Sequence, residues 1–289
     1  MYFTGVYTAL VTPFRTDGSV DYEQLDELVE FQIGAGVAGI VPVGTTGESP
    51  TLRTAEHLQV IKAVTDKAAG RCQIIAGTGA NSTAEAIELT AVVKGYGVDG
   101  TLQVTPYYNK PNNSGLIQHF SAVADIGIPV VLYNVPGRSA KDIPLEVVTE
   151  LAKHPHVVSI KEAAGSVERV TQIKALCDIE VLSGDDSLAL PMIREGALGV
   201  ISVASNIIPA ELVSLVRSAL AGDFDTAQAI HDSYAQLFDD LFIDTNPIPI
   251  KAAMAMKGMI EETYRLPMCS TTDENKAILR ASLEHAGVL

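Results

Sequence analysis

Short apolar, β-branched runs recur along this chain, and the stretches between them carry hydrophobic positions at a period near 3.6 residues. The runs are VYTALVTP (6–13), GIVPVG (39–44), QIIAGTG (73–79), GTLQVTP (100–106), PVVLYNVP (129–136), VVSIKEA (157–163), IEVLSGDD (179–186) and GVISVAS (199–205). Each predicts a strand. Between the first two, DYEQLDELVEFQIGAG places Leu25, Leu28, Val29 and Gln32 on one helical face. TAEHLQVIKAVTDKAAG and STAEAIELTAVVKGYG repeat the pattern, each opening near Ser or Thr and closing at Gly. Strand and helix alternating eight times predicts an α/β fold of the (β/α)8 TIM-barrel type, which takes about 250 residues. An open, doubly wound sheet is the second reading. It ranks lower because no GxGxxG follows the first strand and the strand count reaches eight. From about residue 206 the pattern is all-helical to Leu289. This predicts a catalytic barrel over 1–225 and a helical extension over 226–289 packed on it.

Composition narrows the classes. With 47% hydrophobic and 19% charged residues in 289, the chain reads as a folded, soluble protein. A net charge of −15 argues against nucleic acid and against an anionic membrane surface, both of which attract basic patches. Cys72, Cys177 and Cys269 are odd in number, far apart and without a CxxC pair, which suits reduced thiols in the cytoplasm. The stretch MYFTGVYTALVTPF has no basic leader, and no apolar run approaches the ~18–20 residues that span a bilayer.

In a barrel of this class the chemistry lies at the C-terminal ends of the strands. At or just beyond the ends of the apolar runs stand Thr45 and Thr46 in GTTGES, Tyr107 and Tyr108 in TPYYNKP, Tyr133 with Arg138 in NVPGRS, Lys161, and SGDD. Hydroxyls, phenols, a guanidinium and an amine thus converge on one rim. A lysine closing a strand ordinarily reaches solvent along its own stem. In a barrel, however, Lys161 turns inward, where burial favours the neutral amine. A neutral amine attacks a ketone to form a Schiff base, which acidifies the neighbouring carbon, and a phenol such as Tyr133 can carry the proton if hydroxyls relay it. GTTGE lacks the GK[ST] ending of a P-loop, so it reads as a turn that holds a carboxylate, compatible with a helix N-cap at Ser49 or Thr51. The six histidines are dispersed, so no metal is expected, and Asp185 and Asp186 read as turn and cap residues.

Taken together, GTTGES, TPYYNKP, YNVPGR, IKEA, SGDD and NPIPIK resemble the dihydrodipicolinate synthase and N-acetylneuraminate lyase superfamily, from about Phe3 to the C-terminus. Arg138 in YNVPGR draws the resemblance toward the dihydrodipicolinate synthase branch, where an arginine takes the carboxylate of aspartate 4-semialdehyde. The resemblance implies Lys161 as the Schiff-base lysine for pyruvate, with Tyr133, Thr45 and Tyr108 as a proton relay, Tyr108 reaching in from a neighbouring subunit. It implies Thr46 as the binder of the pyruvate carboxylate, and the carbonyls of Gly184 and Ile201 as orienting groups. No cofactor is implied beyond the covalent imine with pyruvate on Lys161. The implied partners are pyruvate, L-aspartate 4-semialdehyde and further copies of the chain, as a homotetramer built from two dimers. The implied place is the diaminopimelate route of lysine biosynthesis. L-Lysine is implied as a feedback inhibitor at Ser49, His57, Asn81, Glu85 and Tyr107, although Pro50 and Thr54 depart from the pattern of one sensitive group. A pyruvate-dependent class I aldolase or lyase acting on a sugar acid is the alternative activity, and a catalytically silent barrel the second.

Overall fold

The computed structural model describes residues 2–289. Eight strands close into one parallel barrel in sequence order: β1 (Gly5–Ala9), β2 (Gly39–Val41), β3 (Gln73–Gly77), β4 (Gly100–Val104), β5 (Val130–Asn134), β6 (Val157–Glu162), β7 (Glu180–Ser183) and β8 (Gly199–Ser202). The (β/α)8 expectation holds, and every apolar run supplies one strand. Closure needs β1 and β8 almost in contact. A Cβ on Gly199 would lie 1.9 Å from the carbonyl oxygen of Gly5, so only glycine fits.

Around the barrel run α1 (Tyr22–Ala35), α2 (Thr54–Ala68), α3 (Thr83–Lys94), α4 (Asn113–Ala124), α5 (Pro136–Ser139), α6 (Leu145–Leu151), α7 (Glu168–Leu176), α8 (Asp186–Arg194) and α9 (Pro209–Leu220). In α1 the buried residues are Leu25, Leu28, Val29 and Gln32, the face read from the sequence. Asp21 caps its start through Gln24 N–H, and Gly36 ends it in the left-handed region. The expected cap at Ser49 or Thr51 does not form. Those residues make a 3-10 turn containing Pro50, and α2 starts after Arg53, whose backbone N–H donates to the Glu56 carboxylate.

Three further helices, α10 (Phe224–Asp240), α11 (Ile248–Met256) and α12 (Asp273–His285), complete the chain. α10 packs on α8 and α9, and α12 on α10 and α11. α11 instead reaches the mouth of the barrel, where Lys251 Nζ donates to Glu48 Oε1 at 2.6 Å and to the Thr12 carbonyl at 3.2 Å.

Two apolar clusters hold these layers. One fills the barrel interior with Tyr7, Val41, Ile75, Leu102, Val131, Tyr133, Leu182 and Ile201. The other, larger, lies between strands and helices. Among the described residues no helix is long and apolar enough to cross a membrane.

Candidate active site

A register shift in β6 decides what the barrel presents to its axis. Val130 pairs with Val157 but Val131 pairs with Ser159, so Val158 is an extra residue. After it, Tyr133 stands beside Lys161 and Asn134 beside Glu162. Because side chains alternate faces, Lys161 turns inward with Tyr133, and Glu162 turns outward with Asn134. The Lys161 Nζ lies 4.3 Å from the centre of the Tyr133 ring, and the two residues are 6% exposed each. Glu162 meets Asn134 Nδ2 at 2.9 Å and Arg169 Nε at 2.9 Å. Burial lifts its carboxyl above the usual range, while the Arg169 charge opposes that.

Gly184 comes directly after β7, beside the lysine. A Cβ there would fall 3.0 Å from Lys161 Cε and 2.5 Å from Ala163 Cβ, so the missing side chain is the space the lysine stem uses. Asp185, next along, is the turn residue expected: its N–H donates to Ser183 Oγ, that hydroxyl donates to its carbonyl, and its side chain makes no cap bond to α8. Burial pushes its carboxyl up, and the Lys161 charge draws it back down. Asp186 Oδ2 accepts the N–H groups of Val203 and Ala204, tying α8 to the turn after Ile201, so it caps that turn rather than its own helix. Ile201 is fully buried in the interior cluster.

The turn after β2 is strained. Val43 and Glu48 have φ of 55° and 54°, a region that disfavours side chains, most of all β-branched ones. Such strain gathers where the surroundings over-determine a functional loop. Here Thr12 Oγ1 donates to the Gly47 carbonyl, Asn246 Nδ2 donates to Thr46 Oγ1 at 3.0 Å, and Lys251 pairs with Glu48. Thr46 is buried, whereas Thr45 lines a cavity of about 420 Å³ with Tyr133 and Arg138. The Arg138 guanidinium is fixed by donating to the Asn246 carbonyl at 3.1 Å. One residue, Asn246, therefore touches two of the expected carboxylate binders, and nothing in its local sequence announces it.

Ser49, His57, Glu85 and Tyr107 line the same cavity, beyond Thr45. Asn81 stands next to it, its Nδ2 donating to the Tyr107 carbonyl. His57 turns inward, its Nε2 2.7 Å from the Gly77 carbonyl. Tyr108 is the one expected relay residue that the chain does not bring to its own cavity. It is 91% exposed and held at φ 72°. Among the described residues no three His, Cys, Asp or Glu side chains gather as a metal site would require.

The model of the dihydrodipicolinate synthetase family matches residues 2–286. The chain belongs to this family. It is 49% identical over 285 residues to a 4-hydroxy-tetrahydrodipicolinate synthase of Geobacter sulfurreducens, covering 98% of each chain. Among solved structures, dihydrodipicolinate synthase of Aquifex aeolicus superposes with a TM-score of 0.97 at 46% identity, covering 99% of both chains. The enzyme of Cyanidioschyzon merolae with lysine bound gives 0.97 at 40% identity, covering 100% of this chain and 99% of that one. The dihydrodipicolinate synthetase fold thus extends through the C-terminal helices, including the segment that reaches Thr46 and Arg138.

Proposed function

We propose that this chain is a lyase that condenses pyruvate with L-aspartate 4-semialdehyde to give 4-hydroxy-tetrahydrodipicolinate, in the diaminopimelate route to lysine. The observation that carries the reading is the amine–phenol pair of Lys161 and Tyr133 on adjacent strands inside a closed barrel, in a chain of this family. The Lys161 amine attacks the pyruvate carbonyl, and water leaves to form the imine. Loss of a methyl proton gives an enamine, which attacks the aldehyde carbon. The amino group of the adduct then displaces Lys161 as the ring closes. No separate cofactor is required. Tyr133, Thr45 and Tyr108 carry the protons, Thr46 holds the pyruvate carboxylate, and the carbonyls of Gly184 and Ile201 orient the site. Arg138 takes the carboxylate of the semialdehyde, a charge-assisted contact suited to its planar fork. It suits that carboxylate-bearing aldehyde better than the sugar aldehyde that the alternative aldolase would join to pyruvate.

Borohydride reduction in the presence of pyruvate should label Lys161, and Lys161→Ala should abolish both label and turnover. Cleavage of a sugar acid, or condensation of pyruvate with a sugar aldehyde, without condensation with the semialdehyde would reject the substrate assignment. The exposure of Tyr108 supports completion of the relay by a second copy, in a dimer or a dimer of dimers. Ser49, His57, Asn81, Glu85 and Tyr107 hold L-lysine in this reading, less tightly for the presence of Pro50 and Thr54. Calorimetric titration with lysine should show heat that Glu85→Ala removes, and equal heats in both would dismiss the site. A cytoplasmic setting is part of this reading, supported by three thiols without a disulfide, and fractionation of the native protein would check it.

A further inference from the structure

The segment NPIPIK, residues 246–251, supplies no group to the reaction above, yet both of its polar ends are buried against the GTTGES turn. Asn246 is 5% exposed. Its Nδ2 donates to Thr46 Oγ1, and its backbone carbonyl accepts from Arg138. Its Oδ1 is buried and has no hydrogen-bond partner among the described residues. Five residues on, Lys251 fastens the same turn through Glu48.

A hydroxyl has one proton to give and two lone pairs to offer. Asn246 fills a lone pair of Thr46, so the Thr46 proton remains free for another acceptor. In a turn that binds a carboxylate, that acceptor is the substrate. An amide turned the other way would consume the proton and leave Thr46 with nothing to donate. We propose that Asn246 is a positioning residue that sets Thr46 as a donor to the α-keto acid carboxylate and, through its main chain, steadies Arg138 at the mouth. This rests on the reading of Thr46 as the carboxylate binder. Packing alone explains Asn246 poorly, because a buried acceptor without a partner costs stability that an apolar residue would not.

The test measures the pyruvate dependence of borohydride labelling at Lys161, KM for both substrates, and the thermal midpoint. The chains are the native protein, Asn246→Ala, Asn246→Asp, and Asn246→Ala combined with Thr46→Val. Asn246→Ala should raise half-saturating pyruvate about tenfold, and Asn246→Asp further, since a carboxylate takes the Thr46 proton and repels the substrate. KM for the semialdehyde should stay within about threefold, because the main-chain carbonyl still meets Arg138. The thermal midpoint of Asn246→Ala should not fall. In the Thr46→Val background the alanine should add less than about twofold, as expected for residues acting as one unit. The proposal is overturned if Asn246→Ala leaves the pyruvate dependence within about twofold, or if its effect multiplies with that of Thr46→Val. It also fails if both substrates shift alike with a lowered midpoint. Should Asn246→Asp not fold, the alanine chain and its combination with Thr46→Val decide alone. Failure of the underlying functional reading looks different: the native protein itself would carry no label at Lys161, and this proposal would fall with it.

Discussion

The lysine stem occupies space that a single absent methyl leaves open. Gly184→Ala would drive a Cβ to 3.0 Å from Lys161 Cε and displace the amine. We expect the rate of hydride labelling to fall about 100-fold, the scale set by misplacing a reacting group by about an ångström. An unchanged rate would show that the stem has slack. Buried imidazoles make a second residue-scale prediction. Burial pushes the pKa of His57 and of His119 below the ordinary 6.5. Between 6.5 and the lower folded values the unfolded chain binds more protons, so stability present above 6.5 is lost as pH falls through that window. The raised carboxyls of Glu162 and Asp185 act with the opposite sign. The comparison is therefore made against His57→Gln/His119→Gln, whose thermal midpoint should decline less below pH 6.5. An equal slope in both chains would rule out these two residues. Lys161 is legible in the sequence because a charged residue ends an apolar strand. The charge coupling of Asp185 to Lys161 is not legible there, because it depends on where β6 and β7 lie in space.

At the scale of elements, the turn after β2 is held to α11 by the Lys251–Glu48 pair, which is fully buried at 2.6 Å. Burial draws the Lys251 ammonium pKa down, and Glu48 pulls it back. Removing one partner of such a pair strands the other charge, typically at about 3–5 kcal/mol, whereas neutral replacement of both can be nearly free of cost. Lys251→Met should thus lower the chemical unfolding midpoint markedly, and Lys251→Met/Glu48→Gln should recover most of it. Equal losses in both chains would show that the charges are not coupled. The eight strands are readable from β-branched runs, and the barrel from their alternation with helices. The contacts from Asn246 to Thr46 and from Lys251 to Glu48 are not, since 200 and 203 residues separate the partners and no local pattern links them. Nor is the register shift at Val158, although it decides that Lys161 and not Glu162 faces the axis. Alternation tells which residues share a face but not where an extra residue resets the count.

At the scale of the molecule, the proposed relay is incomplete within one chain, because Tyr108 is exposed and does not line the cavity that Tyr133 and Thr45 share. Two defective chains should therefore repair one another. Tyr108→Phe and Lys161→Ala, each impaired alone, should on co-expression restore about a quarter of the native activity, since half of random dimers are mixed and each holds one intact site of two. Absence of recovery at every expression ratio would remove Tyr108 from the relay. The reach of α11 to the barrel mouth also has a consequence for synthesis. A ribosome delivers Thr46 and all eight strands well before it delivers Asn246 and Lys251. The nascent barrel can therefore close while the turn proposed to hold pyruvate is still unset, and activity should switch on only as the last helices emerge. Stalled chains released just short of residue 246 should bind the keto acid weakly, and full-strength capture by them would show that the turn sets itself.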